Sequence, residues 1–296
     1  MDIRAIFMGL AFAVMWSSAF TSARIIVAAA PPLSALALRF LISGLLAVAV
    51  ARMLGQTWHL TRGQWRATMI FGLCQNALYL GLNFVAMQTV EASLAAIIAS
   101  TMPLLVALAG WMFHGDRPRP LALAGLCAGI LGVALIMGAR FGGGVDPFGL
   151  ALCVAGVIAL TVATLSLRGA TSGGNFLMVV GLQMLVGCAV LTVPALALET
   201  PEIDWSVSLV VAFSYTVLVP GLAATLVWFL LVDRIGAVRS ATFHFLNPFF
   251  GVAIAAVLLG ESLRPLDLIG VAVIAAGILA VQLARIPAVQ DKTLKN

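Results

Sequence analysis

Pro248-Phe249-Phe250 through Gly260-Glu261-Ser262-Leu263-Arg264-Pro265-Leu266 restates a stretch found 145 positions earlier, Pro103-Leu104-Leu105 through Gly115-Asp116-Arg117-Pro118-Arg119-Pro120-Leu121. The register continues, since 270 − 125 and 277 − 132 are both 145 and all four positions are glycine. Self-similarity at a fixed offset marks one structural unit used twice. The chain therefore divides into a first unit over 1–140, a second over 141–286 and a polar tail over 287–296.

The residues around the repeat decide its setting. Hydrophobic residues make up 62% of the chain and charged residues 9%, against about 25% charged in a soluble domain. A helix needs about 20 mostly apolar residues to cross about 30 Å of hydrocarbon. Ten segments qualify: 4–28, 34–52, 66–88, 91–113, 120–139, 147–168, 175–198, 207–231, 236–258 and 265–284. They use nearly the whole chain, five per unit, and leave no room for a water-facing domain. Residues 1–30 resemble a secretory leader, with Arg4 ahead of an apolar run and Ala28-Ala29-Ala30 at a cleavage-like position. That run is too long for a leader and reads as the first span. Cys74, Cys127, Cys153 and Cys188 fall inside spans without the spacing of a metal site and read as small apolar filler. No cofactor or metal is expected.

Orientation follows from charge. With the N-terminus inside, Arg4, Arg52, Arg62, Arg66, Arg117, Arg119, Arg168, Arg234, Arg239, Arg285, Lys292 and Lys295 fall on the cytoplasmic side. Only Arg24, Arg140 and Arg264 fall outside, a strong positive-inside bias. The net charge of +5 is thus a matter of topology and gives no ground for nucleic-acid binding. Glu199, Glu202 and Asp204 form an acidic outer loop, and Trp58, Trp65, Trp111 and Trp205 stand at or near span ends, as an interfacial belt would. Five is odd, so the second unit must enter the membrane upside down relative to the first. The expected fold is an all-α integral membrane protein of ten transmembrane helices in two inverted five-helix repeats, both termini cytoplasmic. Inverted duplication is a common construction of secondary carriers.

Gly260-Glu261-Ser262-Leu263-Arg264-Pro265, followed by the apolar run from Leu268 to Leu279, resembles the EamA repeat of the drug/metabolite transporter superfamily. The first copy, Gly115 to Val133, departs from it by carrying Asp116 where Glu is usual. The resemblance covers essentially the full length. Within the superfamily the chain looks most like the bacterial exporters of aromatic amino acids and methyl viologen. It implies an inner-membrane secondary transporter exporting small neutral or zwitterionic metabolites, aromatic and other large neutral amino acids first. Organic cations or drugs are the alternative cargo.

Polar side chains in hydrocarbon need a partner or a wet cavity, so they mark candidate substrate contacts. The third span offers Gln75, Asn76, Tyr79 and Asn83. On α-helical spacing Asn76, Tyr79 and Asn83 share one face, read here as a cavity face. Polar glue between helices, worth about 0.6 kcal/mol, is the competing account. The 145 offset carries Asn83 onto Trp228 and Asn76 onto Gly221, so Trp228 is expected to look inward on the opposite side of the midplane. Trp16 sits mid-span beside Ser17, Ser18 and Thr21. Ser100, Thr161, Tyr215, His244 and Asn247 complete the candidate substrate-binding set, although a threonine hydroxyl can also bond its own helix.

Pro103 and Pro248 occupy matching points of the fourth and ninth spans, where proline removes a backbone hydrogen bond and kinks a helix. They are candidate hinges for opposite gates. Arg39 is the only basic residue within a span. It could hold a substrate carboxylate bidentately, but about five residues from the outer end it could also snorkel to the interface or bond helix carbonyls, the structural reading favoured here. No carboxylate falls mid-span, where proton- or sodium-coupled carriers commonly keep one, and His244 alone is left to titrate near neutral pH. Facilitative transport is expected, with proton coupling as the alternative. An enzyme would need a nucleophile–base pair at membrane depth, and a channel a filter loop or charged ring; neither pattern is evident. The expected partners are the lipid bilayer and a small-molecule substrate, an amino acid or related metabolite. Glycine faces such as Gly125, Gly129 and Gly132 pack helices within or between chains, so oligomeric state stays open.

Overall fold

The computed structural model describes residues 3–114, 118–141, 144–166 and 174–285. The tail at 287–296, the Gly115-Asp116-Arg117 segment of the first motif, and Arg168, Lys292 and Lys295 lie outside the described residues. Ten helical spans run in chain order: α1 (Ile3–Val27), α2 (Pro32–Met53), α3 (Arg62–Ala86), α4 (Ala92–Phe113), α5 (Pro120–Phe141), α6 (Pro147–Ser166), α7 (Phe176–Leu198), α8 (Val207–Ile235), α9 (Arg239–Leu259) and α10 (Pro265–Arg285). Among the described residues nine are long and apolar enough to cross a membrane, α5 is apolar over Pro120–Ile136, and no strand occurs. Helix α3 starts four residues before the apolar run at 66, because Thr61 and Gln64 form a reciprocal capping box ahead of it.

The outside of the bundle is as apolar as its inside. Leu196 and Val257 are 82% and 81% exposed, a surface suited to lipid. Burial of apolar area therefore cannot select helix partners, and close approach of small residues does so instead. The heaviest packing joins helices across the repeats, α5 with α10 and α2 with α7. A Cβ on Gly125 would stand 2.6 Å from the Gly277 carbonyl oxygen, and one on Gly277 would stand 2.6 Å from that of Gly125. Gly132 and Gly270 stand in the same relation at 2.9 and 3.0 Å. Numbers rise on one helix as they fall on the other, so the two run antiparallel. Residue 125 meets 277, the repeat-mate of 132, while 132 meets 270, the repeat-mate of 125. That exchange defines a pseudo-two-fold axis, which between antiparallel mates lies in the membrane plane. The inversion is visible in a single helix contact.

Side chains tie the helix ends. The near end of the bundle holds the α1 N-terminus, and the far end is opposite. At the far end the Glu199 carboxylate accepts hydrogen bonds from the Leu33 and Ser34 amides and the Ser34 hydroxyl at 2.7, 2.8 and 2.7 Å. Glu261 accepts from the Ala92 and Ser93 amides at 2.8 and 3.0 Å. Each carboxylate satisfies orphan donors and faces the positive end of a helix dipole. The acidic residue of the second motif thus works as a cap on α4, across the repeats. Asp146 accepts from the Thr89 hydroxyl at 2.7 Å and from the Gly149 and Phe148 amides, and these bonds, Thr89 first, hold its carboxyl below the usual range. Trp58, Trp65, Trp111 and Trp205 are exposed near helix ends, with Arg52 over the Trp58 ring.

Candidate functional site

Helices α3 and α8 both leave α-helical geometry, at matching points. Gly72–Leu80 and Val217–Ala223 are π-helical, and their first residues are 145 positions apart. Bonding from i to i+5 widens the turn, and such segments recur at functional sites. It also changes which residues share a face. Gln75 and Tyr79 look into the bundle centre, whereas Asn76 is turned toward α7. There its Nδ2 donates to the Gln183 carbonyl oxygen at 2.8 Å and its side chain packs on Gly187. Asn76 is therefore interhelical glue, a correction to the face drawn on α-helical spacing.

The near half of the bundle encloses a cavity of about 470 Å³. Aromatic rings dominate its wall: Phe12, Trp16, Phe20, Phe71, Tyr79, Phe176 and Trp228. Ser17, Gln64, Gln75, Ser100, Thr164, Gln183, Thr225, His244 and Asn247 supply the polar groups, and among the described residues no Asp, Glu, Lys or Arg lines it. The Phe12 ring lies 4.7 Å from Trp228, 5.7 Å from Trp16 and edge-on to His244 at 5.4 Å; Trp228 and His244 are 5.2 Å apart. Asn247 Nδ2 lies 2.9 Å from His244 Nδ1, within hydrogen-bond distance. Ser17 donates to the Asn247 carbonyl oxygen at 3.2 Å, and Asn247 Oδ1 is buried with no hydrogen-bond partner.

Trp16, Phe20 and Tyr79 also wall a second pocket of about 40 Å³ in the far half, with Arg39, Asn83 and Pro220 among its other lining residues. The two spaces are related by the repeat. Thr225, Trp228 and Gln75 line the larger one, and their mates at −145 or +145, Leu80, Asn83 and Pro220, line the smaller. Trp228 thus looks inward on the other side of the midplane from Asn83.

The remaining candidates divide. Ser100, His244, Asn247 and Pro103 line the large cavity. Thr161 does not: its hydroxyl bonds the Val157 carbonyl of its own helix at 2.8 Å. Tyr215 lies off both spaces, its hydroxyl 2.7 Å from Ser18 Oγ in a polar seam between α1 and α8 that Thr216 and Ser22 continue. Asn83 donates to its own helix at the Tyr79 carbonyl. Arg39 has not snorkelled; it is 6% exposed and lines the far pocket. Helix α4 is interrupted at Thr101 before Pro103, and a 3₁₀ segment, Thr242–Leu246, precedes Pro248 in α9. Pro248 itself is buried away from the cavity. Sequence reasoning missed Phe12, Phe20, Phe71, Gln64 and Gln183. Of these, Gln183 was findable as a lone glutamine deep in an apolar span, and Phe12 as the residue one turn from Trp16.

Ten apolar helices in two inverted repeats around a central cavity have the architecture of a membrane transporter. Residues 3–138 and 147–283 each match the EamA-like transporter family, and the chain belongs to that family within the drug/metabolite transporter superfamily. It is 27% identical over 269 residues to the transporter YvbV of Bacillus subtilis, covering 90% of this chain and 88% of that one. It is 26% identical over 280 residues to the inner membrane transporter YedA of Escherichia coli K12, covering 92% and 88%. A shorter match, 29% over 139 residues and about half of each chain (47% and 48%), is to the aromatic amino acid exporter YddG of Ancylobacter novellus. The protein is a multi-pass membrane transporter.

Proposed function

We propose that the protein exports large neutral amino acids, aromatic ones foremost, by facilitated alternating access. The observation that carries this reading is the near cavity. Its volume of about 470 Å³ falls in the range for small-molecule sites, roughly 300–1,000 Å³, and its walls are aromatic with a few neutral polar groups. An apolar ring is accommodated by such walls, and the unpartnered Asn247 Oδ1 is an acceptor for a substrate ammonium group. Among the described residues no carboxylate lines the cavity to hold an organic cation. The basic residues cluster at the near end, so the positive-inside rule turns the cavity toward the cytoplasm, where an exporter loads. Alternating access is supported by the pairing of the two spaces through repeat-mates, one open and one collapsed, and by breaks at matching points of α4 and α9. The units at 1–140 and 141–286 would exchange shapes, and the likeness to YddG agrees with the cargo class.

Counterflow in proteoliposomes tests this. Vesicles preloaded with an unlabelled amino acid and given a trace of the labelled form should show saturable exchange of phenylalanine, tryptophan and leucine without a pH gradient. Exchange confined to organic cations, or seen only with an imposed pH gradient, would sink the reading.

A further inference from the structure

Arg39 is a buried cation with no acidic partner among the described residues; its guanidinium carbon lies 5.3 Å from the centroid of the Phe40 ring. Helix α2 begins at Pro32, so Arg39 lies about 10 Å into the span at about 1.5 Å per residue. A side chain of that length can usually reach the interface, yet this one stays inside against the far pocket. Its Nε has no hydrogen-bond partner, and no acidic side chain among the described residues pairs with it. Ser43 Oγ, one turn on, is also buried without a partner. Both groups flank Gly221 in the π-helical segment of α8: a Cβ there would stand 3.3 Å from Ser43 Oγ and 3.8 Å from Arg39 Nη2. An unpaired charge at membrane depth is costly and is kept where a substrate or ion will pair with it.

We propose that Arg39 is the carboxylate-binding residue of the far half of the pathway and the element that admits zwitterions while rejecting cations. This rests on the amino-acid reading above. A zwitterion needs an acceptor for its ammonium group and donors for its carboxylate. The near cavity offers the first at Asn247 Oδ1, and the far pocket offers the second at Arg39, with Ser43 beside the same Gly221 outside the pocket lining. Trp16, Phe20 and Tyr79, shared by both spaces, stand between them where an apolar body would lie. At about 40 Å³ the far pocket is too small for an amino acid in this state. Once it widens toward the size of its repeat-mate, the guanidinium fork meets the carboxylate bidentately. A fixed positive charge on the path also raises the barrier to a cation of equal size.

The test uses the full-length protein as wild type, Arg39→Gln and Arg39→Lys, with phenylalanine and phenylalaninamide as probes. The two probes differ in whether the carboxylate is present. Wild type should exchange phenylalanine and discriminate against phenylalaninamide by about tenfold or more. Arg39→Gln should lose about tenfold in phenylalanine affinity, its discrimination should fall to about twofold, and Arg39→Lys should recover part of both. The thermal midpoint of Arg39→Gln in detergent should equal or exceed that of wild type, since an unpaired charge has been removed. Unchanged phenylalanine affinity in Arg39→Gln would overturn the role of Arg39 and leave amino-acid export standing. A lower midpoint for that variant would also overturn it, by making Arg39 structural. Wild-type preference for phenylalaninamide, or exchange of neither probe, would sink this inference and the amino-acid reading together.

Discussion

Alanine at Gly277 probes the antiparallel contact between α5 and α10 most directly. The new Cβ would stand 2.6 Å from the Gly125 carbonyl oxygen, 2.8 Å from the Gly129 nitrogen and 3.2 Å from Gly129 Cα. All three are backbone atoms, so no side chain can rotate away and the helices must move apart. Overpacking of that kind costs about 1–3 kcal/mol, and alanine returns up to about 1 kcal/mol of helix propensity. With the full return the net loss is about 0–2 kcal/mol, or up to a few degrees in thermal midpoint. Gly125→Ala should lose a similar amount, because it loads the same contact from the other side. Gly63→Ala is the control: its Cβ would meet only Thr61 Oγ1 at 4.0 Å, so its midpoint should hold or rise. The assay is thermal unfolding of purified full-length protein in one detergent at one scan rate, since unfolding of such proteins is commonly irreversible. If Gly277→Ala melts above wild type alongside Gly63→Ala, the close backbone contact does not exist and the pseudo-two-fold drawn from it falls.

Glu261→Ala should lower the midpoint by the equivalent of about 1–3 kcal/mol, through loss of charged bonds to the Ala92 and Ser93 amides, and Glu261→Gln by less. Equal melting of both variants and wild type would remove the cross-repeat cap. Pro103→Ala and Pro248→Ala should each slow counterflow several-fold with little change in substrate affinity, as hinge changes do; wild-type rates in both would leave the breaks in α4 and α9 as static bends. Gln75→Ala should weaken substrate affinity with little effect on melting, while Asn76→Ala should lower melting and spare affinity. The reverse pattern would show that the α3 face has been assigned wrongly.

The architecture was legible because its signals are global. Ten apolar runs and a 145-residue offset survive errors of several residues at each helix end. The site depends on local geometry, which hydropathy does not record. Asn76 was placed on a cavity face by counting at α-helical spacing, and the π-helical Gly72–Leu80 segment broke that count. Trp16, Tyr79 and Trp228 were found because aromatic or polar groups in mid-span stand out. Phe12, Phe20 and Phe71 were not, because a phenylalanine in an apolar helix looks the same whether it faces lipid, a neighbouring helix or a cavity. Arg39 was expected to snorkel or to bond helix carbonyls from its distance to the helix end, but the sequence does not tell which way α2 is rotated. Packing of Gly44 against Gly181 and Leu185 on α7 fixes that rotation and keeps the guanidinium inside.

Because the α5–α10 contact is its own image under the pseudo-two-fold, an exchange of shapes between the repeats would return it to itself. The pairs 125 with 277 and 132 with 270 would be present before and after. Such a contact contributes equally to both end states and adds nothing to the free-energy difference between them. Changes there should alter how firmly the chain holds together without tilting which face of the membrane it prefers to open. The inverted duplication thus separates durability from directional bias, and assigns the first of them to a stripe of glycines.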